Sequence, residues 1–117
     1  MRTPLPTRRP SLLVQADWQG HPITIGASFY DSGEIGEVFA DTPKQGQMQA
    51  TLADACVLIS ISLQHGIPVS ELRKSMAVEP DLMNGEDATR PASPVGAILD
   101  ALHSINEIYL ASPVDNG

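Results

Sequence analysis

The 117 residues carry 7 Lys+Arg against 14 Asp+Glu, and a formal charge of −7 argues against a nucleic-acid or anionic-membrane surface, both of which rest on clustered basic charge. At this length the chain forms one domain, and aromatics at 4% against 42% hydrophobic residues make its core aliphatic. The single cysteine, Cys56, excludes an intrachain disulfide, a CxxC redox pair and a cysteine-rich zinc site.

Residues 1–10, with three prolines and three arginines, read as an extended arm, because proline fixes φ and removes a donor. The arm has no hydrophobic signal core, and no stretch reaches the ~18 consecutive apolar residues of a membrane span, so the expected location is cytoplasmic. From Ser11 to Trp18, Leu12, Val14, Ala16 and Trp18 alternate with Leu13, Gln15 and Asp17, the period of a half-buried strand. Gln19 to Pro22 is a turn cluster. A second alternating run, Ile23 to Tyr30, ends at the turn Asp31-Ser32-Gly33, and Glu34 to Ala40 completes a three-stranded antiparallel meander.

Gln47 to Pro68 is the longest apolar segment, about five helical turns. Met48, Leu52, Ala55, Cys56, Ile59 and Leu63 recur at steps of three and four. Val57, Leu58 and Ile61 add apolar groups off that stripe, which predicts a core helix covered on more than one side. His65-Gly66 followed by Pro68 marks its end. A short helix over Val69 to Met76 follows, then a polar loop from Glu79 to Pro91 with four acids, read as the most mobile stretch. Ser93-Pro94 opens a last helix with a cap and a proline at the first helical position, and Val95, Ile98, Leu99, Leu102 and Ile105 form its stripe. The tail over 106–117 is expected as a loose end or a fourth strand through Ile108 to Leu110. Strands before helices predict an α+β fold over 11–105: a meander of three strands, with room for a fourth, followed by a long buried helix and two shorter helices packed on one face. Edge strands with few lysines leave self-association through an edge or the open sheet face as an expectation.

No pattern here carries known chemistry. His21, His65 and His103 are scattered, and the two near helix ends suit the helix dipole. Cys56, between Ala55 and Val57, reads as a buried inert thiol, since reactive thiolates need electropositive surroundings. Asp54 reads as a solvent-facing acid in the first turns of its helix, or as a buried partner of Arg9, Lys44 or Arg73. Gly33-Glu34-Ile35-Gly36 lies between strands, outside the strand-to-helix context of a dinucleotide loop. The acidic loop lacks calcium-loop spacing. No metal or cofactor site is predicted.

Five segments in this order resemble the TSCPD-type domain at the C-terminal end of adenosylcobalamin-dependent ribonucleotide reductases, which also occurs as a free-standing small protein. They are RRPSL, GEIGEVFA, Pro43-Lys44-Gln45-Gly46, LADACVLISISLQHGIPVSELRKSM and ASPVGAILDAL, and the match runs from about Arg9 to Leu102. The chain lacks the Thr-Ser-Cys-Pro-Asp string itself. The resemblance implies a link to deoxyribonucleotide synthesis. Reduction of that kind takes a thiyl-forming cysteine and a further cysteine pair, which a lone Cys56 does not supply. What it implies for this chain is therefore a non-catalytic accessory, regulatory or interaction module, with a reductase, another protein, a second copy or a nucleotide as partner. A second reading is a small ligand-binding protein or enzyme with a pocket between sheet and helices, for which Lys44, Asp54, Ser60 and His65 are the candidates. A third, a helix-turn-helix around His65 to Pro68, meets the wrong charge sign and an opening helix that is too long and apolar.

Overall fold

The computed structural model describes residues 11–43 and 46–111, with 108–111 as backbone only. The arm expected over 1–10, Lys44 and the last six residues of the tail lie outside them. The described chain runs β1 (Ser11–Trp18), β2 (His21–Phe29), β3 (Ile35–Asp41), α1 (Gln47–Gln64), α2 (Val69–Lys74), β4 (Val78–Pro80), a 3-10 turn at Leu82–Asn84, β5 (Thr89–Pro91) and α3 (Pro94–Ala111). This is the expected α+β fold.

The meander has strand order β1-β2-β3, antiparallel throughout. Trp18 pairs with His21, so the expected four-residue turn contracts to Gln19-Gly20, both at positive φ as a two-residue hairpin loop demands. Asp17 Oδ1 accepts the Gly20 N–H at 2.8 Å. Between β2 and β3, Gly33 takes φ 94°, and a bulge shifts the register so that Ser28 faces Glu37 while Phe29 faces Ile35. Ile23, Ile25, Ala27 and Phe29 of β2, with Val38 and Ala40 of β3, form the inner face and are buried.

Both long helices cover that face, α1 along β3 and α3 against β1 and β2, while α2 packs on α3. Leu52, Cys56, Ile59 and Leu63 of α1 meet Ile98, Leu99, Leu102 and Ile105 of α3 in one core with the sheet. At the end of α1 the Gly66 N–H donates to the Leu63 carbonyl and the Ile67 N–H to the Ser62 carbonyl, with Gly66 at φ 93°; this double bond pattern is the Schellman stop that His65-Gly66 predicts. Ser93 Oγ accepts the Gly96 N–H at 3.1 Å and caps α3 ahead of Pro94.

Three expectations need correction. First, α1 is covered on one side: Val57 and Leu58 are 55% and 66% exposed, because nothing among the described residues lies beyond that face. Second, the last helix equals α1 in length, and no strand forms at 108–110, because the backbone ladder of α3 continues through Ile-Tyr-Leu despite their β propensity. Third, Glu79 to Pro91 is built rather than loose. Val78, Glu79 and Pro80 pair with Pro91, Arg90 and Thr89, and Arg90 holds Glu79 through Nε and Nη2 at 3.0 and 2.8 Å. The prolines that read as loop markers sit at strand ends, where a missing N–H costs little.

Candidate functional site

Concavity concentrates where the base of the β4–β5 hairpin meets α3. A cleft of about 410 Å³ is lined by Trp18, Gln19, Arg90, Asp100 and Ser104 over a floor of Ala97 and Ala101. A second, of about 260 Å³, is lined by Arg73, Lys74, Met76, Val78, Arg90 and Asp100. The two share Arg90, Pro91 and Asp100. Trp18 closes the first by donating its indole N–H to the Pro91 carbonyl at 3.3 Å and stacking on His21 with ring centroids 6.1 Å apart.

Charge in this region is arranged in pairs. Arg73 Nε meets Asp100 Oδ1 at 2.6 Å, Lys74 meets Glu71 at 3.1 Å, and Arg90 meets Glu79. These three are all the Lys and Arg among the described residues, and all line the smaller cleft. Arg73 binds Asp100 through Nε alone, which leaves its terminal nitrogens as donors for a carboxylate or phosphate. No histidine lines either cleft, and among the described residues no three His, Cys, Asp or Glu stand close enough to share a metal ion. The region can bind anions, but it presents no nucleophile paired with a base.

The residues singled out by sequence lie elsewhere. Lys44 is outside the described residues. Asp54 is exposed on α1, and His65 is exposed at its C-cap, about three helical turns away. Ser60 is buried and spends its hydroxyl on Val38, where it borders a shallow cleft with Glu37, Val57, Ile61 and Gln64. The structure does not gather them. Arg73, one of the three partners considered for a buried Asp54, is held by Asp100 instead. His103 lies inside α3 rather than near its end, 3.2 Å from Glu107. Arg90 and Asp100 went unnoticed in sequence. Asp100 left a signal, as the lone charge in the apolar run of α3 from Val95 to Leu102.

Cys56 is 2% exposed, and burial pushes its thiol up to about 11. At neutral pH it is protonated, which makes it a poor nucleophile. Among the described residues no helix is long and apolar enough to cross a membrane.

The model of the TSCPD domain matches residues 2–105. The vitamin B12-dependent ribonucleotide reductase of Agrobacterium fabrum is 30% identical over 99 residues, which cover 80% of this chain and 8% of the reductase. That of Bradyrhizobium diazoefficiens is 31% identical over 71 residues, covering 60% of this chain and 6% of the reductase. The chain thus spans less than a tenth of the curated relatives it matches. No solved structure matches it.

Proposed function

The chain belongs to the TSCPD domain family, and we propose that it works there as a non-catalytic interaction or regulatory module in the synthesis of deoxyribonucleotides. The observation that carries this reading is the fraction matched: 80% of the chain corresponds to 8% of a vitamin B12-dependent reductase. The matched share is a small fraction of that enzyme, and the one cysteine of these 117 residues is buried. A chain so built acts by binding. Its partner in this proposal is a vitamin B12-dependent reductase of the same cell, and its setting is the cytoplasm, where such an enzyme finds its substrates.

The test is a binding titration of the purified chain against that reductase, paired with turnover in the presence and absence of the chain. Saturable binding with a change in turnover is expected, while the chain alone with ribonucleotide and adenosylcobalamin gives no product. Absence of both binding and any effect on turnover would overturn the proposal.

A further inference from the structure

The tip of the β4–β5 hairpin presents apolar side chains to water on a rigid mount. Leu82 is 78% exposed and Met83 95%, the largest exposures of any large hydrophobic residue described. The tip is nevertheless tightly tied. Asp81 N–H donates to the Ala88 carbonyl at 2.8 Å, Asn84 N–H to the Asp81 carbonyl at 3.1 Å, and Asn84 Nδ2 to Asp81 Oδ2 at 2.6 Å. An ordered apolar pair that buries little in its own domain is a preorganised anchor, since its ordering cost has been met before binding. Methionine, unbranched and polarisable, adapts to such a socket.

Acids surround the anchor. Glu86 and Asp87 follow it in the turn and have no ion-pair partner among the described residues. The donors that match them on this molecule stand in the smaller cleft, where every described cation, each already paired with one acid, adjoins an apolar lining of Met76, Val78 and Pro91. Arg73, Lys74 and Arg90 keep about half or more of their side chains in water, so donors remain for acids arriving from outside. At about 260 Å³ the cleft can take an aliphatic side chain.

We propose that Leu82 and Met83 of one copy seat in the Arg73–Lys74–Arg90 cleft of a second copy, and reciprocally. The geometry favours a closed pair. Val78 and Arg90 belong both to the hairpin base and to the cleft, so two hairpins laid antiparallel about a two-fold axis place each tip at the other's base. The arrangement also supports a two-stranded ribbon that is marginal by itself. With few residues buried on each side, the dimer is weak and concentration-dependent. This inference is independent of the reductase reading, because the chain alone suffices to test it.

Sedimentation velocity of the full chain, from low micromolar to near-millimolar concentration, should show a rising dimer fraction. Met83→Asp, at a site that contributes no packing to the fold, should keep the wild-type melting curve and lose the dimer; Lys74→Glu should weaken it at least several-fold. Under mild oxidation, a chain carrying both Met83→Cys and Ala77→Cys should form a covalent dimer, and neither single variant should. The hairpin's length keeps the two new thiols apart within one chain. A chain monomeric throughout, a dimer indifferent to Met83→Asp, or a covalent dimer from Met83→Cys alone, which would mean tip-to-tip contact, would each overturn the proposal.

Discussion

Val38 and Ser60 satisfy one another across the contact between β3 and α1: the Val38 N–H donates to Ser60 Oγ at 2.9 Å, and that hydroxyl donates back to the Val38 carbonyl at 3.2 Å. The pair belongs to a longer seam. Gln64 Nε2 donates to the Gly36 carbonyl at 2.7 Å, Gln49 Nε2 to the Ala40 carbonyl at 3.4 Å, and Gln49 Oε1 accepts the Thr42 N–H at 2.8 Å. Gly36, Val38, Ala40 and Thr42 are the alternate residues whose backbone groups point away from β2. Side chains of α1 fill what would otherwise be an open strand edge, and lysines are not needed to protect it.

Ser60→Ala removes both bonds at Val38 and leaves a buried donor and acceptor unmet. A loss of about 1–3 kcal/mol is expected, read as a lower urea midpoint at unchanged slope. A midpoint equal to wild type would show that water reaches this edge and that the seam adds nothing to stability.

The seam also shows where sequence reading stops. The hydrophobic period located β1, β2, β3 and the start of α1 to within about two residues, because one buried face per element imposes it. The helix stop at Gly66 and the cap at Ser93 were equally legible, since local bonds decide both. Gln49 and Gln64 gave no such signal, and Ser60, singled out as a pocket candidate, gave none of its bond to Val38. Their partners lie 7 to 28 residues away, and which strand a helical polar residue meets is settled only by the tertiary fold. The clefts were hidden for the same reason, as Trp18, Arg73, Arg90 and Asp100 come together only when the hairpin folds against α3.

Ile59 sits on the α1 face turned to the sheet and is 6% exposed. Ile59→Asp would bury a charge with no partner and should abolish cooperative folding. Val57→Asp, two residues away on the exposed face, should melt close to wild type. A soluble, cooperatively melting Ile59→Asp chain would contradict the core assigned to α1.

On the open face of the sheet, Gly26 lies in register with Phe39, and a Cβ added there would fall inside the Phe39 ring. Phe39 is about half exposed, so the ring can swing into water. Gly26→Ala should therefore cost only about 1 kcal/mol, chiefly lost ring contact, and should add far less on a Phe39→Ala background. Equal costs in the two backgrounds would place the strain in the backbone.

Burial raises the Cys56 thiol to about 11, above the 9.0 of a free thiol. Below pH 9 both the folded and the unfolded chain hold this proton, and its contribution to stability is fully present. Between pH 9 and 11 the unfolded chain releases a proton that the folded chain keeps, so stability falls as pH rises, by up to about 1.4 kcal/mol per pH unit. The informative quantity is the difference between wild type and Cys56→Ala across urea titrations at several pH values, since the two chains share every other group. The wild type should lose stability faster over this window, and the native thiol should react with disulfide reagents orders of magnitude more slowly than the thiol in urea. Parallel pH profiles for the two chains would mean that Cys56 reaches solvent in the folded state, and would reopen the question of whether its sulfur takes part in chemistry.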